Sequence, residues 1–257
     1  MLHDFTLAQR LNSPNILWDN VLAKGALTAS SEASNGHGAA AISPATNTGW
    51  ICAESTGTLT VAGSMASANM AGFAKHTLSG RTVFIEYLVG ASWVQSCSVL
   101  IESNDPFMLA FVEADSTSWR VRITGGAFSI GVVFIGMAMT VPGVIVPPHV
   151  PLNTLETVEI MRGNQSRNGQ FLGSEYELYA GKTNITFQPQ RSEFILSAEF
   201  SGFREYFNRG HPFFIACYGR VYPKDMGYCM RNGAEIAPGW QNAVFMELNM
   251  GVEVFRG

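Results

Sequence analysis

The sequence predicts an all-β protein built from two antiparallel β-sandwich domains, the second of which carries one short helix. Apolar and polar residues alternate over 119–124 and again over 244–254, which is the pattern of strands that bury one face. Further strand-like segments lie between clusters of Gly, Asn, Pro and Ser, as antiparallel sandwiches require. The residues predicted to face the core in the first segment are Trp119, Val121 and Ile123, with Arg120 and Arg122 on the outside.

A proline-rich run divides the chain. Residues 141–151 contain several prolines, which cannot donate hydrogen bonds to a central β-ladder, so the run is predicted to be a connector. It separates a first domain, residues 14–140, from a second domain, residues 152–257. Residues 1–13 are predicted to form an N-terminal arm.

The predicted helix lies in the second domain. Phe200, Phe203 and Phe207 recur at helical spacing, and Gly210 and Pro212 follow as a stop signal. An aromatic stripe at this spacing is typical of a helix packed on a core, so we interpret it as packing and not as a ligand site.

Composition excludes several classes of partner. Charged residues make up 14% of the chain and the formal net charge is −4, which argues against a nucleic-acid-binding surface. The uncharged stretch 123–148 approaches the length of a membrane span, but its glycines and prolines favour strands and a linker inside a folded domain.

The four cysteines form no C-x-x-C pair and are predicted to be buried free thiols. The start of the chain lacks a secretory pattern, so synthesis in a reducing compartment is expected.

A glycine motif near the start does not indicate a nucleotide site. Gly36, Gly38 and Ala41 spell G-x-G-x-x-A, but a dinucleotide fingerprint needs a buried strand before it and a helix after it. The preceding residues are polar, and Pro44 would interrupt a helix within about a turn and a half. The motif therefore needs another explanation, and no cofactor is expected.

The same region resembles a known family. The segment "ALTASSEA" at 26–33, a small-residue stretch and then "NTGW" at 47–50 resemble the beginning of a discoidin-type, galactose-binding-like jelly roll. The resemblance implies that Trp50 packs under the sandwich. Calcium-holding members carry an acidic residue where this chain has Ser43 and Pro44, which argues against a calcium site at that loop.

A second resemblance covers most of the chain. A hydrophobic-A-x-H-x-L segment at 73–78 that is followed by a strand, and later "HPFFIACYGRVYPKDMGYCM" at 211–230, resemble tailed-bacteriophage virion proteins that join a discoidin-like domain to a second β domain. This resemblance implies a structural protein of the tail or tail tip, made in the bacterial host cytoplasm. Its implied partners are copies of itself and other tail proteins, in a symmetric oligomer.

No constellation of residues indicates an enzyme. The five histidines lie far apart and none sits in a metal-binding motif, so we predict neither catalytic nor metal-binding residues. The alternative function is a carbohydrate-binding module that contacts a host glycan. Its candidate residues are Trp93, Asn35 and His37. An aromatic ring at a jelly-roll loop can stack on a sugar, although packing of Trp93 beneath its own loop is the competing interpretation.

Overall fold

The computed structural model describes residues 1–6, 9–155, 158–165, 168, 170–179 and 181–255. The strands of the first part are β1 (Leu2–Asp4), β2 (Asn15–Leu17), β3 (Ala26–Ala29), β4 (Trp50–Cys52), β5 (Thr56–His76), β6 (Thr82–Val89), β7 (Ser92–Leu100), β8 (Phe107–Thr124), β9 (Phe128–Gly136) and β10 (Met139–Thr140). Those of the second part are β11 (Val158–Gln165), β12 (Phe171–Tyr179), β13 (Gly181–Arg191), β14 (Phe213–Ala216), β15 (Met226–Arg231), β16 (Gly239–Trp240) and β17 (Phe245–Phe255). The α-helices are α1 (Gly38–Ala41), α2 (Ser192–Ile195) and α3 (Ala198–Asn208), and 3-10 helices occupy Gln9–Asn12, Val21–Lys24 and Leu152–Thr154. The protein is therefore all-β in class, as predicted.

The first sheet forms a jelly-roll sandwich because two long strands take part in both of its layers. The outer layer has the order β3-β5-β8-β6-β7 and uses the first half of β5 with the second half of β8. The inner layer has the order β4-β9-β5-β8-β1 and uses the other two halves. Register shifts between Ala62 and Ala66 and between Ala68 and Met70 lie where β5 passes from one layer to the other. Such irregularities bend a strand and increase its twist.

The core between these layers contains two tryptophans. Trp50 and Trp119 are buried, and their indole N–H groups donate to the carbonyl oxygens of Ser31 and Ala66 at 2.7 and 3.2 Å. Each ring thus buries its apolar body while its polar group keeps a partner. The predicted packing of Trp50 is confirmed, and so is the inward face of the alternating segment 119–124.

A second sheet packs against the inner layer. Its order is β10-β2-β14-β15-β17-β13, with β16 paired to β17. Phe214 on β14 meets Phe134 of the inner layer edge-on, with ring centroids 5.6 Å apart, and stacks near Tyr228 of its own sheet. Gly72 on β5 lies so close that a Cβ atom there would be 2.7 Å from the Phe214 ring. The two sheets therefore share a tightly packed apolar layer.

Helix α3 covers the other face of the second sheet. Its Phe200, Phe203 and Phe207 are fully buried, and Phe203 meets Phe213 of β14 with ring centroids 5.4 Å apart. The Ser197 hydroxyl accepts a hydrogen bond from the Phe200 amide and caps the helix. The predicted core stripe is confirmed. The second unit is thus one sheet between the first sandwich and a helix, with β11 and β12 forming a separate hairpin.

Sheet membership differs from the predicted ranges at three short strands. Strand β1, inside the predicted arm of residues 1–13, pairs in parallel with β8 in the inner layer. Strand β2, at the start of the predicted first domain, pairs with β14 in the second sheet, and β10 at the end of that domain pairs with β2. These partners lie far apart in sequence, so local alternation cannot reveal them. The division at residues 141–151 itself stays a prediction.

The uncharged stretch 123–148 is buried along β9, while much of its proline-rich end is exposed. Strand β9 is buried almost throughout and pairs with β4 and β5, while Ile145 bridges to Phe187 of β13. The prediction that this stretch consists of strand and linker within a folded domain is confirmed. In the part of the chain that the structure describes, no helix has the length and apolar character needed to cross a membrane.

Candidate functional site

Trp93 lies on a strand at the edge of the outer layer. The β6–β7 hairpin turns at Gly90, whose φ of 60° suits glycine, and Trp93 sits opposite Leu88 in the register of the two strands. The sequence placed Trp93 in a turn between the strands; the structure corrects this and places it on β7. Its side chain is half-buried and lies on the outward face of the layer.

Two arginines cover aromatic rings on this face. The guanidinium carbon of Arg120 lies 4.2 Å from the centroid of Trp93, and that of Arg122 lies 3.7 Å from the centroid of Phe84. Both contacts follow from the register, since Arg120 pairs with Glu86 and Arg122 pairs with Phe84 across β8 and β6. A guanidinium over a ring face gains cation–π attraction as well as packing. The outward position predicted for both arginines is confirmed.

Glu86 links the two arginines. Its carboxylate accepts from Arg120 Nε at 2.6 Å and from Arg122 Nε and Nη2 at 3.0 and 2.7 Å. Its side chain is only 7% exposed. Burial alone would raise the pKa of Glu86, but the hydrogen bonds and charges of Arg122 and Arg120 outweigh it and lower that pKa below its usual value.

We call Phe84, Glu86, Trp93, Arg120 and Arg122 the Trp93 cluster. It offers an aromatic ring, a net positive charge of about one at neutral pH and directional donors, all on β-strands and not on loops. Arg120 donates to Glu86 through Nε, and not through its terminal nitrogens, in the contacts of the described residues. The Glu86 carboxylate bonds both guanidinium groups, and each of them also lies over an aromatic ring. These contacts hold both arginines in position. This arrangement can bind a ligand that combines an apolar face with oxygen acceptors.

The other two candidates for sugar binding lie elsewhere. Asn35 and His37 are exposed on the loop between β3 and α1, where His37 Nδ1 lies 3.2 Å from Glu32 Oε2 and the Gly38 amide donates to Glu32 Oε1 at 2.7 Å. Strand β3 is at one edge of the outer layer and β7 is at the other, four strand spacings or about 19 Å away along the sheet. The structure therefore does not bring Asn35 and His37 to Trp93.

The glycine motif and the loop after it have structural roles. A Cβ atom at Gly36 would lie 2.4 Å from the Ile51 side chain, so the glycine allows the loop to approach β4. The loop then carries Pro44, whose carbonyl oxygen accepts the hydroxyl of Tyr228 at 2.5 Å. This part of the jelly roll therefore contacts the second sheet.

A second cluster, which the sequence did not predict, joins His149, Cys217 and Asp225. One potential ligand atom from each residue lies within 4.8 Å of the other two. His149 Nε2 is 2.9 Å from Asp225 Oδ2, and Asp225 Oδ1 accepts from the Leu152 amide at 2.8 Å. We call this the histidine–cysteine–aspartate cluster. No spacing motif could have revealed it, because a connector and two strand ends bring its members together.

The surroundings of the thiol in this second cluster oppose a nucleophilic role. Cys217 is fully buried; burial and then the charge of Asp225 raise the pKa of its thiol well above the usual value. A catalytic cysteine needs a thiolate and access to substrate, and the raised pKa and the full burial of Cys217 oppose both. The other cysteines, all within the described residues, are also buried and free, as predicted.

Comparison with known proteins gives structural likeness only. No protein-family model matches the chain, and no curated protein matches it. A chitosan-binding module of a chitosanase/glucanase from Paenibacillus sp. IK-5 is 18% identical, with a TM-score of 0.39 over 46% of this chain and 98% of the module. A Clostridium perfringens module, CpGH89CBM32-5, solved in complex with GalNAc-β-1,3-galactose, is 17% identical, with a TM-score of 0.40 over 47% of this chain and 99% of that one.

An enzyme also shares this likeness in part. A Ruminococcus gnavus GH29 fucosidase solved in complex with fucose is 11% identical, with a TM-score of 0.40 over 47% of this chain. The match spans only 27% of the fucosidase chain. Similarity this low leaves the ligand of the present protein to be inferred from its own residues.

Proposed function

We propose that this protein is a non-catalytic carbohydrate-binding protein that holds a glycan on the Trp93 cluster. One observation supports this above all: the Arg120 guanidinium lies over the Trp93 ring and is also bonded to the buried Glu86 carboxylate. A sugar ring presents C–H groups that pack on an aromatic side chain and hydroxyl groups that need charged or planar partners. Because Arg120 covers one face of the Trp93 ring, a sugar would pack on the part of the ring that stays exposed and bond the neighbouring guanidinium.

The rigidity of the cluster favours binding. Arg120 and Arg122 would otherwise lose side-chain freedom when a ligand binds, and ordering such side chains costs about 0.5–1.5 kcal/mol each. Their ion pairs with Glu86 already restrict them in the free protein. The net positive charge of the cluster favours a glycan with a carboxylate-bearing sugar over a neutral glycan.

A glycan array followed by calorimetric titration tests this proposal. The intact protein should bind at least one glycan, and Trp93→Ala should weaken that binding at least tenfold, which corresponds to about 1.4 kcal/mol. Trp240→Ala is the matched control, because Trp240 is an exposed tryptophan on β16 of the second sheet. Unchanged affinity of Trp93→Ala, or equal losses in both variants, would contradict the proposed site.

Assembly into a viral tail is a second candidate function, favoured by exposed apolar side chains of the second unit. Leu196, Trp240 and Val244 are between 52% and 68% exposed. They lie near the start of β17, since the Ser192 amide of α2 donates to the Val244 carbonyl and Trp240 pairs with Met246. Large exposed apolar groups often mark contacts between proteins. The partners would be copies of this chain or other tail proteins of a bacteriophage virion.

Different measurements and different variants test the two candidate functions. Light scattering of the purified protein measures association, and electron microscopy of an intact particle shows copy number and location. Trp240→Ala should reduce association without changing glycan affinity, whereas Trp93→Ala should do the reverse. A protein that stays monomeric at high concentration and is missing from virions would contradict the assembly function.

A further inference from the structure

We propose that His149, Cys217 and Asp225 form a zinc-binding site. The three side chains offer one nitrogen, one sulfur and one oxygen, which is a donor set typical of zinc. Three protein ligands leave one position of a tetrahedral ion for water or a further ligand. The site lies in the second unit and does not depend on the Trp93 cluster or on carbohydrate binding.

The backbone around the cluster holds its members in place. The Cys217 amide donates to the Asp225 carbonyl at 2.9 Å, which ties the end of β14 to the start of β15. The Leu152 amide occupies Asp225 Oδ1 and thereby leaves Oδ2 directed to His149. Metal ligands are commonly oriented by such secondary hydrogen bonds.

One atom of the cluster is unexplained without a ligand. His149 Nδ1 is buried, and it has no hydrogen-bond partner among the described residues. A buried polar atom without a partner destabilises the folded state. The cluster therefore has an unfilled hydrogen-bonding position at Nδ1.

Charge and distance are both compatible with a divalent ion. A thiolate and a carboxylate together balance the charge of Zn²⁺, so the set of ligands with the bound metal would be neutral overall. In this step the Cys217 proton leaves to solvent and a sulfur lone pair bonds the metal. Zinc bonds of about 2.0–2.3 Å place tetrahedral ligands roughly 3.3–3.8 Å apart, so the sulfur must move inward and the His149–Asp225 pair must open slightly. Side-chain rotations achieve shifts of this size.

A cleft borders two of the three proposed ligands, His149 and Asp225, while Cys217 is buried. It has a volume of about 540 Å³, and its walls include His149, Asp225, Tyr218 and Tyr222. The Tyr218 hydroxyl is held by the backbone of Ile145, which fixes this wall. The cleft is also where an exogenous fourth ligand of the metal would enter.

Cobalt substitution and zinc titration of the intact chain test this site. The protein should bind one Co²⁺ per chain and develop a thiolate-to-cobalt charge-transfer band, and Zn²⁺ should displace the cobalt and raise the melting temperature. Cys217→Ala and His149→Gln should lose the band. Cys97→Ala, a buried cysteine of the first sandwich, should keep it.

A measurement on the unmutated protein keeps the proposal testable even if Cys217→Ala does not fold. X-ray absorption of the zinc-loaded chain should show one sulfur neighbour at about 2.3 Å and the remaining neighbours as nitrogen or oxygen. A zinc shell without sulfur or with several sulfurs would overturn the assignment. The assignment would also be overturned if the intact protein showed no cobalt band and no rise in melting temperature with zinc.

Discussion

Replacing Glu86 by Gln should destabilise the protein although the two side chains have nearly the same shape. The amide oxygen can still accept from one arginine, but the amide NH₂ then faces the donors of the other, because Glu86 accepts from both Arg120 and Arg122. Hydrogen bonds to charged groups contribute about 1.5–3 kcal/mol, and the partial exposure of both arginines reduces that contribution. We expect a loss of about 2 kcal/mol in the free energy of unfolding at neutral pH.

This effect should depend on pH. The folded-state pKa of Glu86 is lowered, so its contribution is fully present above the unfolded-state pKa, near 4.3, and is lost as pH falls through the lower folded-state value. The difference in unfolding free energy between the natural protein and Glu86→Gln should therefore shrink as the pH of urea titrations falls below about 4.

Glu113→Gln provides the control for this substitution. Glu113 is exposed on β8, so its replacement should change the unfolding free energy by less than about 0.5 kcal/mol. A Glu86→Gln protein as stable as the Glu113→Gln protein at neutral pH would refute the reasoning, and so would a stability difference that does not change with pH.

Two further substitutions test the packing of the layers. Phe203→Ala should leave a cavity between α3 and the second sheet and lower the free energy of unfolding by about 3–5 kcal/mol in chemical denaturation. Leu196→Ala is the control, because Leu196 is exposed, and it should lower that free energy by less than about 0.5 kcal/mol. Equal effects would contradict the buried position of the helix. Gly72→Ala should cost about 1–3 kcal/mol, because its new Cβ atom would press on Phe214, and melting curves would show a drop of several degrees. An unchanged melting temperature would contradict the close contact between the inner layer and the second sheet.

Local pattern was sufficient to predict much of the fold. Two predictions needed only one segment and its buried face. The structure confirms both the alternation at Trp119, Val121 and Ile123 and the helical spacing of the phenylalanines in α3. The continuity of β5 and β8 was not predicted, since each strand changes layer at a bulge where alternation is interrupted. The sheet membership of β1, β2 and β10 also depends on distant partners.

The candidate site also combines residues that the sequence could identify with contacts that only the tertiary structure reveals. Trp93 could be selected from sequence as an aromatic residue between two strands, and Arg120 and Arg122 could be assigned to an outward face. Their contact with each other through Glu86 depends on the register of β6 against β8, and a bulge between Ile85 and Glu86 shifts the register of β7 as well. The histidine–cysteine–aspartate cluster depends on tertiary structure alone.

Indole resonances offer the most direct test of the proposed binding surface. The chain has five tryptophans, and in ¹⁵N–¹H spectra each gives one side-chain signal that a substitution can assign. On titration with a glycan selected from the array, the Trp93 signal should shift or broaden, while those of Trp50 and Trp119, whose N–H groups are bonded inside the core, should stay unchanged. A bound glycan that leaves the Trp93 signal unmoved, or that moves only the Trp240 signal, would contradict the assignment of the site to the Trp93 cluster.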